Sequence, residues 1–134
     1  MKSKICLFLL ICFSINHSFA QEKKTVVEAL VQEQVEGYNA RNIDAFLKPY
    51  AEDVELYMFP NQLISKGKEA MRKDYSSMFK DLPELHCEIK NRIVNGNFVI
   101  DQESISGMKK GEKVVASAIY EIKDGKISKV YFIP

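Results

Sequence analysis

With 134 residues, 46% hydrophobic and 28% charged, and a formal net charge of +1, the chain is too short for two ordinary domains and too evenly charged to make a nucleic-acid surface. Two histidines and three cysteines leave little material for a transition-metal cluster or a disulfide framework.

The N-terminus orders Lys2 and Lys4, an unbroken apolar run from Ile5 to Phe13, and small residues at Ser18 and Ala20. That is the charged, greasy, small-residue order of a secretory signal. The run falls short of the roughly 20 apolar residues that span a bilayer, and no later stretch approaches that length. Cys12 follows Ile11 rather than a small residue, which argues against a lipid anchor. Residues 1–20 are therefore expected to be removed, giving a mature protein from Gln21 that does not associate with membrane and resides in the periplasm or outside the cell. Residues 21–134 form one domain, carrying 17 basic and 18 acidic residues, a formal charge of −1. Cys6 and Cys12 leave with the signal, so Cys87 has no intrachain partner and the fold must rest on its core.

Thr25 and Glu28 have the spacing of a capping box, which predicts a helix start there. Val27, Leu30, Val31, Gln34, Val35 and Tyr38 then recur at three and four residues, one helical face. Asn39 to Asn42 reads as a break, with Asn42 capping a short helix that buries Ile43, Phe46, Leu47 and Tyr50. A strand is expected over 53–59, a turn at Pro60-Asn61, and a short return strand over 62–65. Gly67 leads into a third helix with the stripe Met71, Tyr75, Met78, Phe79 and Leu82, ended before Pro83. After Pro83 the period becomes two. Asn95-Gly96 and Asp124-Gly125 each lie between strand-like runs and tolerate the positive φ of tight hairpin turns, and Gly111 marks a third reversal. The prediction is an antiparallel meander over 85–94, 98–107, 113–122 and 126–133.

Helices, a strand pair, a helix and a meander make an α+β order in which a sheet can curl around helices. Four segments in that order carry a resemblance: Tyr38-Asn39-Ala40-Arg41-Asn42-Ile43-Asp44-Ala45-Phe46, Tyr50-Ala51-Glu52-Asp53-Val54, Gly67-Lys68-Glu69-Ala70-Met71 and Asp124-Gly125-Lys126-Ile127. Together they resemble the nuclear transport factor 2-like superfamily, and within it the SnoaL-like branch that includes steroid isomerase relatives. The resemblance implies a cone-shaped fold with N-terminal helices packed on a curved, mostly antiparallel sheet. It also implies an apolar pocket for a small molecule and a homodimer built on the sheet. It implies no single activity, because such folds host isomerases, cyclases, hydrolases and proteins without chemistry.

The steroid isomerase mechanism needs an aspartate base, a tyrosine and a protonated aspartic acid. The resemblance places these at Met58 or Phe59, at Gln34 and near Ala118, none of which has the required chemistry. Other carboxylates are available. Asp101 and Glu103 are two apart on a predicted strand, between Val99 and Ile105, and project from one face. Buried in an apolar cone, either would have a raised pKa and could act as general acid or base. The ordinary alternative is that both face solvent or pair with lysines. His86, the one histidine left in the mature chain, is a candidate pocket residue that could pair with a carboxylate for proton transfer. It shares its strand face with Glu88, Lys90 and Arg92, however, whereas Leu85, Cys87, Ile89 and Ile93 make the other face apolar. Asn91 interrupts that apolar face and would need a buried partner, a water or a ligand. Tyr57, Phe59, Tyr75, Phe79, Tyr120 and Phe132 are candidates to line a cavity for a flat apolar ligand, with a tyrosine hydroxyl orienting it, although such residues are commonly plain core. Tyr57 on the first strand and Tyr75 on the third helix are preferred. Cys87 reads as an inert core thiol. Without a glycine-rich phosphate loop, a nucleophile elbow or a cluster of metal ligands, no cofactor and no metal are expected.

The reading is thus an exported small-molecule-binding domain. It is either a cofactor-free enzyme using Asp101 or Glu103 with Tyr57 or Tyr75, or a non-catalytic ligand-binding or interaction domain.

Overall fold

The computed structural model describes the backbone of residues 2–134 and the side chains of residues 21–134. Helix α1 runs Lys2–Asn39 and α2 Ile43–Leu47, followed by β1 Tyr50–Met58, β2 Gln62–Lys66 and α3 Lys68–Asp81. The meander is β3 His86–Asn95, β4 Phe98–Ser106, β5 Lys113–Lys123 and β6 Lys126–Ile133. The six strands form one sheet in the order β2-β1-β6-β5-β4-β3. Only the β1–β6 pair is parallel; the other four pairs are antiparallel. This is the expected α+β fold, with three helices against one face of a mostly antiparallel sheet.

The hairpin signals act as expected: Gly96 and Gly125 take positive φ, and so does Asp124. Asn42 caps α2, its side chain accepting from the Ala45 amide at 3.1 Å. The Thr25–Glu28 capping box does not start a helix. Thr25 lies inside α1, and its hydroxyl donates to the Gln21 carbonyl at 2.9 Å, the back-bond that a threonine makes within a continuing helix. Among the described side chains of α1, Val27 is the first that is buried, followed by Val31 and Val35 at helical spacing.

Two glycines set close approaches. A Cβ on Gly37 would collide with the Phe46 backbone, so glycine lets α1 and α2 pack tightly. Gly107 combines φ +84° with contact on the Glu84 and Leu85 backbone, which pins the β4–β5 turn against the start of β3. The free edge of β3 is covered at its N-terminal end. Asn39 donates to the Cys87 carbonyl at 2.9 Å and accepts from the Cys87 amide at 2.7 Å, as a neighbouring strand would. Arg41 donates to the Leu85 carbonyl at 2.9 Å.

The core lies between the helices and the inner sheet face and is built on Val31, Phe46, Leu47, Val54, Met71, Val99, Ile127 and Val130. One irregularity changes what that face carries. Between Ile89 and Asn91 the β3–β4 register slips, so parity reverses in the second half of β3. Arg92 turns inward, opposite Asp101, while Asn91 and Ile93 turn out. The alternation read from Leu85 to Ile93 fails at that point.

Candidate functional site

Between the helices and the inner sheet face lies a cavity of about 220 Å³. Its helix side is made by Gln34, Val35 and Tyr38 of α1, Phe46 of α2, and Tyr75 and Met78 of α3. Its sheet side is made by Tyr50, Cys87, Glu103, Ile105, Ala116, Tyr120 and Phe132, and Met108 of the β4–β5 turn completes the lining. The wall is aromatic: Tyr38, Phe46 and Tyr75 pack edge-to-face or tilted with one another and with Phe79 outside the lining, with centroids 4.6–6.5 Å apart.

Among the described residues, Glu103 is the only carboxylate in that lining, and no lysine, arginine or histidine shares it. Its side chain is on the inner face because β4 alternates regularly, burying Val99, Asp101 and Glu103 in turn. Glu103 is 5% exposed. Burial pushes its carboxyl up to about 7; the Asp101 charge adds to the rise, while the Tyr120 hydrogen bond and the Arg92 charge oppose it.

The carboxyl ends a buried chain of hydrogen bonds. Tyr50 donates to Gln34 Oε1 at 3.2 Å, Gln34 Nε2 donates to Tyr120 Oη at 3.0 Å, and Tyr120 donates to Glu103 Oε1 at 2.9 Å. Oε1 is thereby held, and Oε2 is the oxygen left for the cavity. Tyr75, which takes no part in the chain, is pushed well above its ordinary range by burial, and then by the charges of Glu103 and Asp74. It stays a neutral phenol, able to donate to a ligand oxygen. Burial likewise pushes the Cys87 thiol up to about 12, so it lines the wall as a neutral group.

Asp101 and Glu103 share a face and are both buried, which removes the reading that they face solvent. Their surroundings differ. Asp101, 0% exposed, receives Arg92 Nε and Nη2 at 2.7 Å each, a bidentate pair that occupies both its oxygens. Arg92 also reaches Gln32 Oε1 at 3.1 Å, linking β3 and β4 to α1. Asp101 is absent from the cavity lining.

Of the ligand-contact candidates, the structure brings Tyr75, Tyr120 and Phe132 to the cavity with Glu103 and leaves Tyr57, Phe59, Phe79, Asn91 and His86 outside its lining. Tyr57 lies on the outer sheet face, stacked on Tyr131 at 5.2 Å and donating to Glu55 at 2.7 Å. Phe59 follows β1 and is 53% exposed. Asn91 is exposed because the slip after Ile89 turns it outward, and His86 precedes the slip and stays on the outer face. Gln34 and Tyr50 are not among the expected polar site residues, whereas Tyr120, expected as a cavity-lining aromatic, is the hydrogen-bond partner of the carboxyl. Gln34 carried the signal: a polar side chain among Val27, Leu30, Val31 and Val35 on a buried face requires a partner. The steroid isomerase positions fit no such mechanism here, since Ala118 is fully buried opposite Asp101 and Gln34 belongs to the chain above.

A model of the SnoaL-like domain family matches residues 31–130. Among solved structures, the chain is similar to an uncharacterised cystatin-fold protein from Novosphingobium aromaticivorans, at 24% identity and TM-score 0.74, covering 81% of this chain and 97% of that one. It is similar to a proposed polyketide cyclase from Sinorhizobium meliloti, at 19% identity and TM-score 0.67, covering 78% and 93%. It also resembles a proposed ketosteroid isomerase from Kribbella flavida, at 18% identity and TM-score 0.70, covering 84% and 80%. At these identities the likeness is one of fold. A search of curated proteins gives no match.

Proposed function

The chain belongs to the SnoaL-like domain family, and from that premise we propose that it is an exported small-molecule-binding protein whose single acid–base group, Glu103, transfers a proton on an uncharged apolar compound. The supporting observation is a lone carboxyl in an aromatic cavity, with one oxygen held by Tyr120 and its pKa raised to about 7. A carboxyl poised near neutrality can take a proton from carbon and return it at another, which is the need of a cofactor-free isomerase or cyclase. Tyr75, a neutral donor on the opposite wall, is suited to a carbonyl oxygen that gains charge as the proton leaves. Among the described residues the cavity offers an anionic group no cationic partner, which favours uncharged ligands.

Native mass spectrometry of protein purified from its own host, followed by extraction, tests the pocket. A retained apolar compound is expected, and Ala116→Trp, which fills the cavity, should lose it. A compound retained equally by the filled variant would place binding elsewhere and sink this reading.

Export is part of the proposal. Cleavage after Ala20 leaves Val27 and the cavity-lining Gln34, Val35 and Tyr38 in the mature chain. N-terminal sequencing of the exported protein should begin at Gln21; an intact Met1 start on protein outside the cytoplasm would contradict it.

The proposal also includes a homodimer through the outer sheet face. One apolar residue from each strand stands in register across it: Ile93, Ile100, Ile119, Tyr131, Tyr57 and Leu63. Ile93 and Leu63 at its ends are half exposed, and a stripe of this length is a surface that a second copy can cover. Ile119→Lys, near the middle of the stripe, should convert a dimer to a monomer in sedimentation equilibrium. A wild-type monomer at high micromolar concentration would refute the dimer.

A further inference from the structure

Gln34 stands between two phenols, and its two ends are not interchangeable. An amide carbonyl only accepts, and an amide NH2 only donates. With Tyr50 donating to Oε1, the Nε2 end is left for Tyr120, whose oxygen thereby becomes an acceptor. The Tyr120 proton then has one direction to go, to Glu103 Oε1. If the amide were turned over, Tyr120 would donate to Gln34 and the carboxylate would lose its partner in an apolar wall, a costly arrangement. The four groups come from α1, β1, β5 and β4, and each is buried, at 3–5% exposure. A buried polar chain of this kind holds a single geometry when every member is satisfied.

We propose that Gln34 is a positioning residue of the site: its amide sets the direction of this chain, which ties Glu103 Oε1 to Tyr120 and leaves Oε2 as the one carboxylate atom that exchanges a proton with the ligand. This rests on the reading of Glu103 as the acid–base group. A consequence is stereochemical. With one oxygen fixed, the proton leaves and returns on the face of the ligand turned toward Oε2.

The groups that face Glu103 are Tyr120 on β5, Tyr50 on β1, Tyr75 on α3, Tyr38 on α1 and Cys87 on β3, with Asp101 on its own strand and Arg92 beyond it. Of these, Tyr120 alone hydrogen-bonds the carboxyl among the described residues. Changes at Gln34 should therefore reach Glu103 through Tyr120.

The test follows the Glu103 carboxyl carbon by NMR titration in ligand-free mature protein. Tyr120→Phe removes a hydrogen bond to the charged form and should raise the midpoint by about one pH unit. Gln34→Leu should raise it by part of that amount, because Tyr120 remains but is no longer oriented. Gln34→Met, which keeps the length of the side chain, should behave alike and guards against misfolding. In the Tyr120→Phe background, Gln34→Leu should add nothing. Unmoved midpoints in both Gln34 variants, or shifts that simply add in the double variant, would overturn the proposal. A wild-type midpoint in the ordinary carboxylate range would instead overturn the reading of Glu103 itself.

Discussion

Replacing Glu103 by Gln should abolish proton transfer while making the protein more stable above neutral pH. Glutamine keeps the acceptor for Tyr120 but has no proton to exchange, so turnover of the natural compound should fall by roughly 10²–10⁴-fold, the usual contribution of a general acid–base group. The stability effect follows from linkage. The folded-state pKa is raised from 4.5 to about 7, so the folded protein binds more protons than the unfolded chain between those values. Stability is therefore greatest below the unfolded pKa and declines as pH rises through about 7. A rise of this size corresponds to about 3 kcal/mol. The wild type should lose stability between pH 4.5 and 8, and Glu103→Gln should lose less over that range and exceed the wild type at pH 8. Denaturant melts at both pH values read this directly. Parallel wild-type and variant profiles would show that Glu103 ionises as readily in the fold as out of it.

Asp101→Asn should have the opposite character, a large loss of stability at neutral pH with the cavity still able to hold its compound. The substitution keeps shape but leaves Arg92, whose side chain is 12% exposed, facing an uncharged partner. Breaking one side of a buried pair costs about 3–5 kcal/mol. For a domain of this size that lowers the melting midpoint by on the order of 10 °C or more. A joint Asp101→Leu and Arg92→Leu change should recover part of the loss, because no charge is then stranded. Asp101→Asn should still hold the compound that the wild type holds. If it melts like the wild type and loses the compound instead, the roles given to Asp101 and Glu103 are reversed.

The contrast between these neighbours shows what the sequence could convey. Their spacing on a strand placed both on one face, which follows from the period of two; whether that face was buried stayed open, because an antiparallel sheet can turn a polar face to solvent. Which carboxyl would be free depended on Arg92, and Arg92 turns inward only because of the slip after Ile89. A slip of one residue has no signature in side-chain type. That irregularity also moved Asn91 out of reach, while the hairpin pairs Asn95-Gly96 and Asp124-Gly125 were plain because positive φ selects few residues.

The tyrosines divide for a similar reason. Tyr75 was legible as a wall residue because helical spacing fixes which side faces the sheet. Tyr57 was misplaced because its neighbours on β1 gave no clear alternation: Leu56 faces the core, and Tyr57 joins the outer stripe. The Tyr50–Gln34–Tyr120–Glu103 chain joins residues up to 86 positions apart, a distance over which local pattern says nothing. Its one visible trace was the polar Gln34 on an apolar helical face.

The most direct test of the account is the pH titration of the Glu103 carboxyl carbon in the mature wild-type protein, with and without the compound extracted from it. The account predicts a midpoint near 7 that moves when the cavity is filled. A midpoint near the ordinary 4.5, unchanged by the compound, would contradict it.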